Sequence, residues 1–185
     1  MSSNQEQIEY WNERAGETWA ELQDRLDALL APLSAAGLAA ANVRSGERVL
    51  DVGCGCGDTS IALNAMGANV LGVDVSGPML ARARSRDASI EYHQADAATT
   101  DFDHEFDLVF SRFGVMFFDD PRAAFKNLCS ALKPGGRLLF VCWQPPAVNP
   151  WMATAGRAIA PYLPPSDEAP DCLLYTSPSP RDPIG

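Results

Sequence analysis

An apolar run that ends in an acid and passes straight into alternate glycines leaves a chain few folds to choose from. Residues Val49–Ser60, VLDVGCGCGDTS, have that form, with Gly53, Gly55 and Gly57 at every second position. Strand, glycine turn, helix is the order by which a parallel α/β protein brings a nucleotide-like ligand against bare backbone. Glycine serves there because it reaches positive φ values and carries no Cβ to hold a ligand off. Asp58, Thr59 and Ser60 follow, residue types that start helices by accepting hydrogen bonds from free backbone N–H groups. Many nucleotide binders share such a turn, so the residues after it have to discriminate.

Beyond Arg48, apolar segments alternate with helical ones. Val49–Val52, Val70–Val75, Ile90–Gln94, Phe106–Phe110 and Arg137–Cys142 predict five strands. Helices are expected over Ser60–Met66, closed by Gly67, from Ser76 and Pro78 to about Ser85, and from the cap Asp120-Pro121 to about Leu132. Lys133-Pro-Gly-Gly136 reads as the turn into the fifth strand. This alternation implies right-handed crossovers and a doubly wound α/β fold whose parallel sheet is covered on both faces.

Residues 1–44 read as an N-terminal helical cap. Trp19, Leu22, Leu26, Leu29, Leu30 and Leu33 recur at three- and four-residue steps and predict one apolar stripe, with Glu21, Asp24, Arg25 and Asp27 on the solvated side. Pro32 and Gly37 punctuate the region, which favours two or three helices over one. Tyr10, Trp11 and Trp19 suit either core packing or a lid over the ligand. Residues 45–160 form the binding domain. After Trp143 only a piece near Trp151–Ala160 keeps helical spacing, and residues 161–185 read as a disordered tail.

Charge and composition remove several classes. The 185 residues are 46% hydrophobic, with a mean hydropathy of −0.11, as for one domain with a sizeable core. A net charge of −10 with no basic run disfavours a nucleic-acid or anionic-membrane partner. The polar start MSSNQEQIEY lacks a signal-peptide layout, and no apolar run approaches the roughly 20 residues of a membrane span, so a cytoplasmic protein is expected. Cys54, Cys56, Cys129, Cys142 and Cys172 have no metal-site spacing, and no metal is expected. Cys54 and Cys56 fit between the glycines as small packing residues.

In an open parallel sheet ligands collect at the carboxyl ends of strands. Asp51, Asp74 and Asp96 lie at or near three such ends, and Asp74 follows Gly53 by 21 residues, close to the roughly 20 of a ribose-binding acid. A nicotinamide cofactor fits less well. G-x-G-x-x-G counted from Gly53 would need a glycine where Asp58 stands, and counted from Gly55 where Ser60 stands.

The segments VLDVGCGCG, GVDVSGPML, YHQADAATTDF, FDLVFSRFGVMFF and LKPGGRLLFVCW, in that order, resemble the successive motifs of class I S-adenosylmethionine-dependent methyltransferases. The resemblance runs from about Tyr10 to Met152. It is nearest to the bacterial small-molecule group that includes ubiquinone/menaquinone-type and sugar O-methyltransferases. It implies a Rossmann-like fold and S-adenosyl-L-methionine as cofactor. By it, Asp51 and the turn Gly53, Cys54, Gly55 and Gly57 would hold the methionine part. Asp74, followed by Val75, would bind both ribose hydroxyls, and Met79 would lie along the adenine. Asp96, with Ala97 beside it, would take the adenine amino group, while Ser111, Arg112 and Phe113 would face the methionine end and the acceptor.

The methyl donor in such a reaction is already activated, so the protein has mainly to align the partners and exclude water. A base is needed only if the nucleophile arrives protonated. His93 and His104 read as structural, and no catalytic residue is assigned. The N/D-P-P-Y/F-like run of amide- and adenine-amino methyltransferases is replaced by Ser111-Arg112-Phe113-Gly114, which leaves a small-molecule acceptor with an O, C or N nucleophile.

The resemblance also implies a C-terminal antiparallel hairpin completing a seven-stranded sheet, and nothing after Trp143 reads as one. Cys172–Asp182, CLLYTSPSPRD, looks like the in-frame translation of a transposase adapter used in sequencing-library preparation, so a C-terminally truncated frame is expected. The reading is a small-molecule methyltransferase. The alternatives are a cofactor-binding fragment without turnover and, third, an NAD-dependent oxidoreductase.

Overall fold

The aliphatic runs pair as a five-stranded sheet whose neighbours are all parallel. The computed structural model describes residues 4–103 and 105–144, with residues 149, 154, 158 and 162 beyond them. Strands β1 (Arg48–Val52), β2 (Asn69–Asp74), β3 (Glu91–Gln94), β4 (Phe106–Arg112) and β5 (Leu132–Val141) lie in the order β3-β2-β1-β4-β5. Val49 stands opposite Val70 on one side and Leu108 on the other. The chain winds outward from β1 through β2 to β3, then returns across β1 to β4. The order therefore reverses between β1 and β4, and a crevice opens at their carboxyl ends.

Helices α4 (Asp58–Ala65), α5 (Gly77–Arg86) and α6 (Pro121–Ser130) link the strands. Leu50, Val52, Val109, Ala124 and Leu128 form one core layer, and Val49, Leu63, Leu108, Phe110 and Ala41 form another. Two expected caps are in place: Ser76 Oγ accepts from Met79 N–H at 3.4 Å, and Asp120 Oδ1 accepts from Ala123 N–H at 3.0 Å. The third is not. Helix α4 starts at Asp58, with Gly57 at its N-cap in the left-handed region and no side-chain cap. Thr59 and Ser60 turn their hydroxyls to Asp51 instead.

The KPGG segment is also different from the expectation. Leu132 already pairs with Phe106, whereas Leu108 pairs with Arg137, so Lys133–Gly136 bulge out of the strand where Gly135 takes φ 82°. The strand thus begins before the turn rather than after it.

Three helices precede the sheet: α1 (Gln5–Asn12), α2 (Arg14–Glu21) and α3 (Gln23–Ala41). The breaks fall at Glu13 and Leu22, and α3 runs through both Pro32 and Gly37. Proline removes one N–H from the helix ladder, and the carbonyl it deprives belongs to Ala28, an exposed residue. Gly37 is a packing residue: a Cβ there would meet Val141 Cγ2 at 2.9 Å. Of the expected leucine stripe Leu30 is buried, whereas Leu22 and Leu29 are 41% and 73% exposed. The inward row is Gln23, Asp27, Leu30, Ser34, Gly37 and Ala41, still at helical spacing but half polar.

His104, the piece near Trp151–Ala160 apart from Thr154 and Ala158, the tail 161–185 apart from Tyr162, and with it Cys172 and the adapter-like segment lie outside the described residues. Among the described residues no helix is long and apolar enough to cross a membrane.

Candidate active site

A cavity of about 290 Å³ occupies the crevice at the carboxyl ends of β1, β2 and β4. The backbone Val52–Cys56 lines one side of it. Gly53 takes φ 68° while its N–H reaches Val73 O at 2.8 Å, and a Cβ on it would sit 2.6 Å from Gly114 Cα. Bare backbone therefore meets bare backbone where β1 and β4 end, and no side chain fits between them.

Two acids frame the next stretch of wall. Asp74, at the end of β2, accepts from Gly55 N–H through Oδ2 and from Ser76 N–H through Oδ1, each at 2.8 Å. Burial raises its carboxyl above the ordinary range, and these N–H donors pull it partly back. Asp96, beyond β3, accepts from Ala98 N–H through Oδ1 at 2.9 Å. Its Oδ2 is buried without a partner, an acceptor open to an N–H or O–H donor in the cavity.

Ten of the thirteen residues singled out from sequence line this cavity: Gly53, Cys54, Gly55, Asp74, Val75, Met79, Asp96, Ala97, Arg112 and Phe113. Asp51, Gly57 and Ser111 stand behind it. Asp51 has no solvent exposure, and its Oδ2 accepts from Thr59 Oγ at 2.7 Å and Ser60 Oγ at 2.6 Å, which ties the first turn of α4 to β1. Burial pushes its carboxyl up to about 6 against those two donors. Ser111 Oγ donates to Val52 O at 2.7 Å and accepts from Val115 N–H at 3.3 Å, so it pins the end of β4 to β1. A Cβ on Gly57 would meet the Tyr92 hydroxyl at 2.6 Å. These three shape the turn from beneath. Burial raises the thiols of Cys54 and of Cys56, the latter to about 11, so both stay protonated at neutral pH.

The N-terminal helices close the cavity from the other side. Trp11 and Trp19 line it, with ring centroids 5.8 Å apart, and Trp11 meets Phe117 edge-on at 5.3 Å. They are wall and cover at once, whereas Tyr10 is 59% exposed. Asn12 docks this cap on the sheet: its Nδ2 donates to Val75 O at 2.8 Å, and its Oδ1 accepts from Gly77 N–H at 3.0 Å and Gln94 Nε2 at 3.1 Å. Close packing at Gly16 adds to this, since a Cβ there would fall 2.6 Å from Ser76 Oγ.

Asp27, expected on a solvated face, is part of the site. It lines the cavity and pairs with Arg86 at 3.1 Å and with Arg112 at 4.0 Å. Arg112 in turn donates to Asp58 Oδ2 at 2.8 Å and Ser34 Oγ at 2.7 Å. Desolvation raises the Asp27 carboxyl above its ordinary range. A search for apolar periodicity passes over such a row; the spacing of Gln23, Asp27 and Ser34 is the signal that finds it. Phe113 carries a second unforeseen feature, φ 65° in a non-glycine residue, with its ring stacked on Trp143 at 4.7 Å. His93 faces solvent on β3, paired with Glu91 at 2.8 Å. Among the described residues no group of three or more His, Cys, Asp or Glu side chains is arranged to hold a metal.

Residues 50–140 match a family described as a methyltransferase domain. That match bears out the resemblance to the class I S-adenosylmethionine-dependent methyltransferases. A demethylmenaquinone methyltransferase of Clavibacter sepedonicus is 40% identical over 108 residues, covering 56% of this chain and 44% of that one. An uncharacterized protein of Mycobacterium tuberculosis is 38% identical over 120 residues, covering 62% of this chain and 44% of that one. This methyltransferase chain thus spans less than half the length of both relatives. Among solved structures, a phosphoethanolamine N-methyltransferase 2 of Haemonchus contortus, in complex with phosphomonomethylethanolamine and S-adenosylhomocysteine, is 31% identical with a TM-score of 0.57. That match covers 66% of this chain and 32% of that one.

Proposed function

We propose that this chain binds S-adenosylmethionine in the cavity and transfers its methyl group to an oxygen, carbon or nitrogen nucleophile of a small molecule. The observation that carries the reading is the pair of strand-end acids, Asp74 and Asp96, on one cavity with the backbone of Gly53–Cys56. An adenine amino group supplies the donor that Asp96 Oδ2 lacks, and ribose hydroxyls suit the lone pairs that Asp74 keeps beyond its two backbone bonds. The residues present therefore fit the group, and Met79, 6% exposed on the same wall, offers an apolar face to a flat base.

The sulfonium of the cofactor supplies a methyl group already activated for displacement. What is left to the protein is alignment and dryness. Trp11 and Trp19 exclude water from the cap side, and the Asn12 clamp holds them there. Asp27 is the one further carboxylate on the described wall, able to accept a hydrogen bond from an acceptor hydroxyl or amine.

Calorimetry with S-adenosylmethionine and S-adenosylhomocysteine tests the reading. Saturable binding of both is expected, with Asp96→Ala weakening them by about tenfold through one lost charge-assisted hydrogen bond. No binding of either, or NADH competing for the same site, contradicts it. A turnover assay with labelled donor separates a working transferase from a fragment that only holds the cofactor.

A further inference from the structure

We infer that the methyl acceptor is an uncharged, planar ring compound seated against the Phe113–Trp143 stack. The inference rests on the cofactor reading above and concerns the other end of the same cavity. Asp74 and Asp96 follow β2 and β3, on one side of the sheet order, whereas Phe113 and Trp143 follow β4 and β5 on the other. The acids and the stack are thus separated along the crevice by β1.

The aromatic end is built as a platform. The Phe113 and Trp143 rings lie 10° from parallel with centroids 4.7 Å apart. Phe113 is held at φ 65° by its N–H bond to Val141 O at 2.8 Å, a conformation that a bulky residue seldom adopts. Trp11 from the cap and Phe117 from the turn after β4 present an edge-to-face pair to the same cavity. Flat apolar ligands gain most from such surfaces.

Charge narrows the class further. Among the described lining residues Arg112 is the one Lys or Arg, and Asp58 and Asp27 already neutralise it. Arg86 likewise balances Asp27, so Asp74 and Asp96 leave the wall net negative. A phosphate or carboxylate on the acceptor would enter that field with no unpaired Lys or Arg among the described lining residues to meet it. A protonated amine would suit the field but has no lone pair to take a methyl group. A neutral ring bearing its nucleophile as a substituent satisfies both conditions.

Calorimetry on the full chain saturated with S-adenosylhomocysteine tests this with three probes: 2-naphthol, 2-naphthyl phosphate and phosphoethanolamine. The expected result is saturable binding of 2-naphthol, about tenfold or more weaker binding of its phosphate ester, and no saturable heat from phosphoethanolamine. Phe113→Leu and Trp143→Leu should each weaken 2-naphthol by about fivefold, and Trp143→Leu should leave S-adenosylhomocysteine affinity within about twofold. Thermal melts check both variants, and either one alone carries the test if the other fails to fold. An ester that binds as tightly as the alcohol, saturable phosphoethanolamine, or 2-naphthol affinity unchanged in the folded variants overturns the inference. Failure of S-adenosylhomocysteine to bind the unaltered chain overturns the cofactor reading, and this inference with it.

Discussion

The two walls of the cavity are made in different ways. The sheet wall uses backbone and acids from consecutive strand ends: Gly53–Cys56, Asp74 and Asp96. The other wall gathers Trp11, Trp19 and Asp27 from the cap, Phe113 from the far side of the sheet and Trp143 beyond β5. The first is fixed by local geometry, because each residue ends a strand that the parallel register aligns. The second depends on how α1–α3 dock, through Asn12, Gly16 and the Asp27–Arg86–Arg112 pairs. Such a difference suits a cofactor site shared across a family and an acceptor site particular to one chain.

The most severe way to break the sheet wall is Gly53→Val. A side chain there meets Gly114 backbone at φ 68°, so a loss of more than about 3 kcal/mol in stability is expected, with cofactor binding abolished. Chemical denaturation reads the first and calorimetry the second; a variant that melts and binds like the parent breaks the comparison. Asp51 supports the same wall from beneath. Its carboxyl is raised from 3.8 to about 6, so the folded state favours its protonated form. Stability should fall as pH rises from about 4 to about 6, by on the order of 3 kcal/mol, and stay low above that. Asp27 and Asp74, also raised, act in the same sense. Glu47 and Asp107 are held low by Arg137 and Lys133 and oppose them below about pH 4. Denaturation curves across pH 4 to 7.5 should show a decline that Asp51→Asn flattens.

On the cap wall the expected effects are smaller and more separable. Arg112→Ala leaves Asp58 and Asp27 with Arg86 as the one cation between them, which should cost about 2 kcal/mol. Restoring partial stability with Asp27→Asn in the same background would identify the charge pair as the cause; equal losses in single and double variants would exclude it. Trp11→Leu removes an edge contact to Trp19 and Phe117 worth about 1 kcal/mol. It should raise KM for the acceptor while S-adenosylhomocysteine affinity changes by less than about threefold, a split that a purely structural role would not give.

The sheet wall was legible in the sequence for the reason that makes it rigid. Strand, turn and acid recur at short, regular separations, so Asp74 and Asp96 could be set at one edge by register alone. Sequence spacing could not tell which acids face the cavity: Asp51 and Asp74 both belong to strand-end segments, but the pleat turns Asp51 toward Thr59 and Ser60. The cap was half legible. Its helices follow from composition, yet the leucines that predicted the buried stripe point outward at Leu22 and Leu29, because the docking face is ruled by polar partners on α5 and β4 that lie 59 to 85 residues away in the chain. Phe113 gave no sign of its positive φ, which falls where β4 ends and its N–H bonds to Val141 O on the neighbouring strand.

A crystal structure of the full chain with S-adenosylhomocysteine tests the central claim most directly. The account predicts the adenine amino group about 3 Å from Asp96 Oδ2, and both ribose hydroxyls on the Asp74 carboxylate. Adenosine bound away from these two acids, with Asp96 Oδ2 still unpartnered, would contradict it.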